Sequence, residues 1–231
     1  MRYALIDWDN TIRRGYTIYG LTDYLIAHGA VPPRLLEKFE VLKIAYRAGA
    51  ISYAVYTERT CEAFAAAMAG YPADDYRRRV AAYLPQNESA ISPDADALFG
   101  LLRRYEVDVY LVSGAPADVL RAYAGRFGLR GVFGFELEED GEGLLTGRVA
   151  CNYGLDKARA LHDPLLNVPG AVHLLGMGDA DADLPLLDGA RIPIVAGDGA
   201  LALRFSHDRP WDLGRLEEQL ARLCAKAERA T

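Results

Sequence analysis

The chain has 231 residues, 51% hydrophobic and 25% charged, with a formal net charge of −6. That composition supports a sizeable core, in one large domain or in a core domain carrying a smaller insertion. The acidic balance gives no electrostatic basis for binding nucleic acid or anionic lipid, and no apolar run approaches the ~20 residues that cross a bilayer.

Tyr3-Ala4-Leu5-Ile6 is short and apolar, as a buried parallel strand should be, and it stops at a cluster of carboxylates. From about Leu21 to Asn87 apolar residues recur at helical spacing. Gly29 with Pro32-Pro33, Gly49, and Gly70 with Pro72 divide this stretch, so four helices with no strand between them are expected. Alternation resumes near Pro93. Asp94 to Tyr105 reads as a helix, Val107 to Val112 as a buried strand ending at Ser113-Gly114, and Pro116 to Phe127 as the next helix. Asp140-Gly141-Glu142-Gly143 predicts a β-hairpin over Glu136 to Val149. Leu155 to Leu166 is expected to be helical, Ala171 to Leu175 and Ile192 to Val195 to be strands, and Leu213 to Ala227 to be a closing amphipathic helix. Strands alternating with helices predict an α/β fold with a doubly wound parallel sheet. The helical stretch becomes a cap inserted after the first strand. The expected division is a core of residues 1–14 and 89–231 with a helical cap of residues 15–88.

Cys61, Cys151 and Cys224 are scattered and odd in number, which argues against a disulfide framework or a zinc site. With no basic leader or cleavage site before the first strand, the expected location is the cytoplasm. His28, His162, His173 and His207 show no ligand spacing. Nothing in the sequence specifies an oligomeric state.

Three strand ends carry polar clusters: Asp7/Asp9, Ser113/Gly114 and Asp179/Asp183. Sites in open α/β sheets form at the carboxyl ends of strands, so these groups should meet at one edge. Several carboxylates packed together are unfavourable unless a cation joins them, and hard oxygen ligands suit magnesium. Asp7 and Asp9 lie two apart, a spacing that suits a nucleophile with a general acid/base. A carboxylate attacking phosphorus gives an aspartyl-phosphate and splits one difficult displacement into two. Ser113 and the N–H groups of Gly114 and Ala115, at an expected helix start, would bind phosphate oxygens, and Lys157 would add fixed positive charge.

In order, Asp7-Trp8-Asp9-Asn10-Thr11, Leu111-Val112-Ser113-Gly114, Lys157 and Gly178-Asp179-Ala180-Asp181-Ala182-Asp183 resemble the four motifs of the haloacid dehalogenase superfamily. The helical insert and the hairpin look most like its phosphoserine phosphatase branch, and the resemblance covers nearly the whole chain. It implies Asp7 as nucleophile and Asp9 as general acid/base. It also implies magnesium held by Asp7, the Asp9 backbone carbonyl and Asp179, with Asp183 supporting, and phosphate bound by Ser113, Gly114 and Lys157. Asp181 competes with Asp183, and the family spacing favours Asp183. The implied activity is magnesium-dependent hydrolysis of a small phosphorylated metabolite. The alternatives are a phosphotransferase or mutase, and a non-catalytic binding protein that has kept the fold.

The sequence departs from that branch where the substrate is recognised. Tyr16 stands where the relatives carry a glutamate for the substrate ammonium, and Arg47 and Thr60 stand where they carry a methionine and a carboxylate-binding arginine. A buried group without its charged partner loses on the order of 2–5 kcal/mol, so phosphoserine is not the expected substrate. Tyr16 and Arg47 are the candidate substrate contacts, Arg47 hinting at a more anionic or differently placed leaving group. Ala182 replaces an asparagine common in the fourth motif. Tyr16, Tyr19, Tyr46, Tyr53 and Tyr56 are read as packing residues of the cap in preference to pocket walls. Arg13 and Arg14 either meet an anionic substrate or are solvent-facing charges at the hinge.

Overall fold

The apolar opening run becomes the middle of a six-stranded sheet. The computed structural model describes residues 1–197, 200–205 and 212–228, and His207 lies outside them. The strands, in chain order, are β1 (Arg2–Ile6), β2 (Val107–Pro116), β3 (Leu129–Glu139), β4 (Leu145–Asn152), β5 (Val172–Gly178) and β6 (Ile192–Val195). They lie side by side as β4-β3-β2-β1-β5-β6, all parallel except the β3/β4 hairpin. Alternate side chains of β1 enter different cores, Ala4 and Ile6 on one face and Tyr3 and Leu5 on the other. That is the doubly wound arrangement. Ile6 is level with Leu111 of β2 and Met177 of β5, so the ends of three strands open side by side where the chain reverses direction across the sheet.

Between β1 and β2 run α1 (Thr17–Ala27), α2 (Arg34–Arg47), α3 (Tyr53–Ala67) and α4 (Ala73–Asn87), the expected four helices. They do not enclose a core of their own. Trp8 and Ile12 join Leu21, Leu25, Phe39 and Phe64 to the residues beneath the sheet in one apolar cluster. Helix α3 packs on β4 and pairs with α2 on its other side, α1 reaches β2, and α4 packs on α1 and α6.

Downstream are α5 (Ala95–Arg104), α6 (Ala117–Ala122), α7 (Ala124–Phe127), α8 (Ala158–Leu161), α9 (Leu184–Asp188), α10 (Ala200–Phe205) and α11 (Leu213–Glu228). Two expectations needed correction, and one strand runs longer than expected. The helix predicted over Pro116 to Phe127 is two short helices broken at Tyr123, whose hydroxyl accepts from Asn87 Nδ2 at 3.0 Å. The one predicted over Leu155 to Leu166 is the single turn α8, because Pro164 disfavours helix at the residue before it. The hairpin pairs antiparallel from Phe135/Asn152 to Glu139/Leu145, near its expected place, but its first strand extends back to Leu129 to pair with β2. Gly131 and Gly134 look like breakers but are close approaches to the Tyr110 ring and to Ala117. Among the described residues no helix is long and apolar enough to cross a membrane.

His173 on β5 stacks on Tyr3 of β1, ring centroids 5.0 Å apart, and burial pushes its pKa down to about 4. The unfolded ring takes a proton near pH ~6.5 and the folded ring resists until about pH 4, so stability is lost as pH falls between them. The cost at pH ~5 is about 2 kcal/mol. His173→Phe keeps the stack and removes the proton. Urea melts of the variant should lose about 2 kcal/mol less between pH ~7 and ~5 than those of the parent, and equal losses would refute a buried neutral ring.

Candidate active site

Asp7 extends β1 by one residue, its N–H donating to Met177 O at 2.8 Å. The chain then turns tightly, with the N–H groups of Thr11, Ile12 and Arg13 all donating to Trp8 O. Asn10 takes the left-handed backbone this turn requires, at φ 61°, which asparagine tolerates. Trp8 is fully buried against Tyr123 and anchors the loop from below, while Asp7 and Asp9 line a cavity above.

Asp7 is buried, and its Oδ1 accepts from Lys157 Nζ at 2.5 Å; Thr11 Oγ1 donates to its Oδ2 at 3.1 Å. Lys157 also donates to Asp183 Oδ1. The other oxygen of Asp183 accepts from the N–H groups of Asp179 at 2.9 Å and Ala180 at 3.0 Å, folding the fourth motif back on itself. A Cβ at position 178 would collide with the Asp183 carboxylate, so glycine is required at this strand end. Carboxylate oxygens of Asp7, Asp179 and Asp183 lie within 4.8 Å of one another. Asp181 is exposed at the cavity edge and stands outside this cluster, so geometry favours Asp183.

Burial raises the Asp7 carboxyl, and Lys157 opposes the rise. Burial, then Asp7 and Asp183, push Asp179 up to about 7. Burial disfavours the Lys157 ammonium, but Asp7 and then Asp183 outweigh it and hold the lysine firmly charged. Lys157 stands just before α8, not within a helix as the sequence predicted.

The Asp9 side chain is turned away from the cluster. It accepts from Thr17 N at 3.0 Å and from Thr17 Oγ1 at 2.5 Å. That leaves only its backbone carbonyl for the metal role implied by the motif. Burial pushes Asp9 up to about 7, against the Thr17 hydrogen bonds and the Arg13 guanidinium 3.9 Å away. A carboxyl near neutrality suits proton exchange in both directions.

Ser113 and Gly114 line the same cavity, but not at a helix start. The β2/β3 ladder skips from Val112/Phe133 to Pro116/Phe135, so residues 113–115 bulge from the sheet beside the carboxylates, and α6 begins only at Ala117. Ala115 N donates to Ser113 Oγ at 3.3 Å.

The cavity has a volume of about 330 Å³. Its wall on the side of α1 to α3 carries Tyr16, Tyr19, Tyr46, Tyr53 and Tyr56, contrary to the expectation that these rings serve packing alone. Tyr16, a candidate substrate contact, lines the cavity. Arg47 does not: it ends α2, exposed, and Tyr46 occupies the wall beside it. Arg13 fits neither of its two readings, since it is buried with Nε donating to Asn87 Oδ1 at 2.6 Å. Arg14 is exposed. Sequence reasoning missed Thr17 and Asn87. The available signal for Thr17 was that Tyr16, which precedes α1, cannot cap it, leaving Asp9 to serve the exposed N–H.

A model of the haloacid dehalogenase-like hydrolases matches residues 4–188, and the chain belongs to this family. No curated protein matches it by sequence. Its fold is similar to that of a protein of unknown function from Bordetella pertussis Tohama I, with TM-score 0.70 and 18% identity over 88% of this chain and 93% of that one. It is also similar to cytosolic 5'-nucleotidase IIIB bound to cytidine, with TM-score 0.68 and 15% identity over 98% and 87%. A phosphoserine phosphohydrolase-like protein from Francisella tularensis subsp. tularensis SCHU S4 gives TM-score 0.57 and 15% identity over 84% and 87%.

Proposed function

We propose that this protein is a magnesium-dependent phosphatase that hydrolyses a small-molecule phosphomonoester through an aspartyl-phosphate on Asp7. The observation that carries this reading is the convergence of Asp7, Asp179 and Asp183 around one buried lysine, at the floor of a cavity and at the ends of adjacent strands. Three ionised carboxylates facing one ammonium leave an excess of two negative charges, and an all-oxygen donor set with that excess fits a divalent cation. Asp7, Asp179 and the Asp9 carbonyl would hold magnesium, with Asp183 in support; when bound, the ion neutralises charge on the phosphoryl oxygens.

In this reading a carboxylate oxygen of Asp7 bonds to phosphorus as the bond to the leaving oxygen breaks. Asp9 gives that oxygen its proton. Asp9 then takes a proton from water, whose oxygen attacks phosphorus, breaks the bond to Asp7 and frees inorganic phosphate. Ser113, Gly114 and Lys157 hold the phosphoryl oxygens. Residues 15–88 act as the cap over a core of 1–14 and 89–231, and phosphoserine is not the expected substrate, since Tyr16 offers its ammonium no charged partner. The described cysteines are unpaired, which supports a cytoplasmic location.

With magnesium, p-nitrophenyl phosphate should release inorganic phosphate without an added acceptor. EDTA should cut the rate on the order of 100-fold or more, and added magnesium should restore it. An undiminished rate in EDTA would sink the metal assignment. Release that requires an acceptor alcohol would indicate a phosphotransferase, and binding without turnover a non-catalytic protein.

A further inference from the structure

We infer, resting on the phosphatase reading above, that the leaving group of the natural substrate is uncharged and carries an aromatic ring that stacks on the tyrosine wall. Among the described residues, the aromatic side chains left substantially exposed are Tyr16 at 43%, Tyr46 at 38% and Tyr53 at 37%, and all three line this one cavity. Exposed aromatic area gathered at one place marks a binding surface, whereas scattered exposure does not.

The rings form a continuous surface. Tyr46 stacks on Tyr56 at 5.3 Å with 13° between planes, and Tyr53 stands edge-on to Tyr46 at 5.6 Å. Tyr16 meets Tyr19 at 6.3 Å on the side nearer Asp9. The Tyr19 and Tyr56 hydroxyls are joined to each other at 2.8 Å, which fixes the rear of the wall. What the open rings offer is π-face and edge, a surface that favours offset or edge-on aromatic partners.

Charge argues for neutrality. The cavity residues contributed by α1 to α3 include no acidic or basic side chain, so an ammonium or carboxylate on the leaving group has no partner there. Aromatic surfaces also bind quaternary ammonium ions, but such sites draw on electronegative surroundings. Behind Tyr19 and Tyr56 the charged neighbours are Glu40, already paired with Lys43 at 2.8 Å, and Arg47, so the balance on that side is positive. The carboxylates that face Tyr16 are those of Asp9 and Asp179, which belong to the reaction site. Lys43 itself sits 5.5 Å over the Tyr19 ring. A cation is disfavoured on the side of Tyr19 and Tyr56, away from the carboxylates of the reaction site. The cavity lies at the low end of the ~300–1,000 Å³ range of ligand sites, which suits a small ring-bearing leaving group beside the phosphate.

The test compares kcat/KM for benzyl phosphate, cyclohexylmethyl phosphate, phosphoserine and phosphocholine with magnesium. The first two have similar leaving groups in size and basicity and differ in aromaticity. Benzyl phosphate should exceed cyclohexylmethyl phosphate about 5–10-fold, as expected for one or two aromatic contacts, and should exceed both charged esters by on the order of 100-fold. In Tyr46→Leu and Tyr53→Leu the benzyl-to-cyclohexylmethyl ratio should fall toward one. The ratio is internal to each preparation, so partial unfolding cannot mimic the effect, and Tyr53→Phe should retain it. Equal rates on the two neutral esters, or faster turnover of phosphoserine or phosphocholine, would overturn the inference. If no ester is hydrolysed, calorimetric binding of benzylphosphonate against cyclohexylmethylphosphonate decides: a preference for the aromatic compound keeps the wall as a ring site while the phosphatase reading falls, and equal affinities discard both.

Discussion

Asp7→Asn is expected to lower phosphate release by on the order of 10⁴-fold or more while leaving the fold intact. The amide matches the carboxylate in shape and keeps a carbonyl oxygen able to accept from Lys157 or Thr11, the two side chains that hold it. It lacks the negatively charged oxygen that must bond to phosphorus, and no neighbour supplies an equivalent one. Asp9 is committed to Thr17, and Asp183 is committed to Lys157 and the two N–H groups of its own loop. Steady-state release from p-nitrophenyl phosphate, with a thermal melt on the same sample, checks both halves. A rate within tenfold of the parent would remove Asp7 from the role of nucleophile.

Lys157→Met is expected to destabilise the protein by about 3–5 kcal/mol near neutral pH in EDTA, the range for leaving buried charges without their partner. Methionine preserves most of the apolar stem, so little of the loss would come from packing. Without the ammonium, the carboxylates of Asp7, Asp179 and Asp183 face one another in a buried cluster with no cation. The folded-state pKa values of Asp7 and Asp179, already raised, then rise further above the unfolded values near ~4, so the penalty grows as pH rises from there and is relieved as pH falls and these carboxyls take up protons. Asp179, already pushed up to about 7, takes up its proton within this range. Urea melts in EDTA should therefore show a gap between parent and variant that narrows from pH ~7.5 to ~5.5, and magnesium should recover part of it. A gap that widens toward acid would contradict the buried cluster.

The parts of this site readable from the sequence are those written into the ends of strands. β1, β2 and β5 are short apolar runs terminated by Asp7, Ser113 and Asp179, and parallel pairing in register is enough to bring such ends together. Lys157 was recoverable only through its place among the motifs. The helix assigned to it shrank to one turn at Pro164, and what fixes the lysine is its pairing with two carboxylates distant in sequence. Contacts across the insertion were not legible for the same reason. Arg13 is drawn inward by Asn87 at the far end of α4, which no local pattern announces, and Asp9 by Thr17 at the start of α1, which only the missing cap at Tyr16 signals. The cap side chains were the hardest to read. Helical spacing marks Tyr46, Tyr53 and Tyr56 as inward-facing, but it cannot say whether inward means a packed core or an open cavity. Arg47, chosen by its place in the resemblance and not by spacing, stands one residue from the side chain that reaches the wall.

The most direct test of the central claim is to quench the protein in acid during turnover of p-nitrophenyl phosphate with magnesium and to map any phosphoryl adduct by peptide mass spectrometry. The adduct should lie on Asp7, be discharged by hydroxylamine as an acyl phosphate, and be absent in Asp7→Asn. Steady turnover with the adduct on a different residue, or phosphate release that persists undiminished in Asp7→Asn, would contradict it.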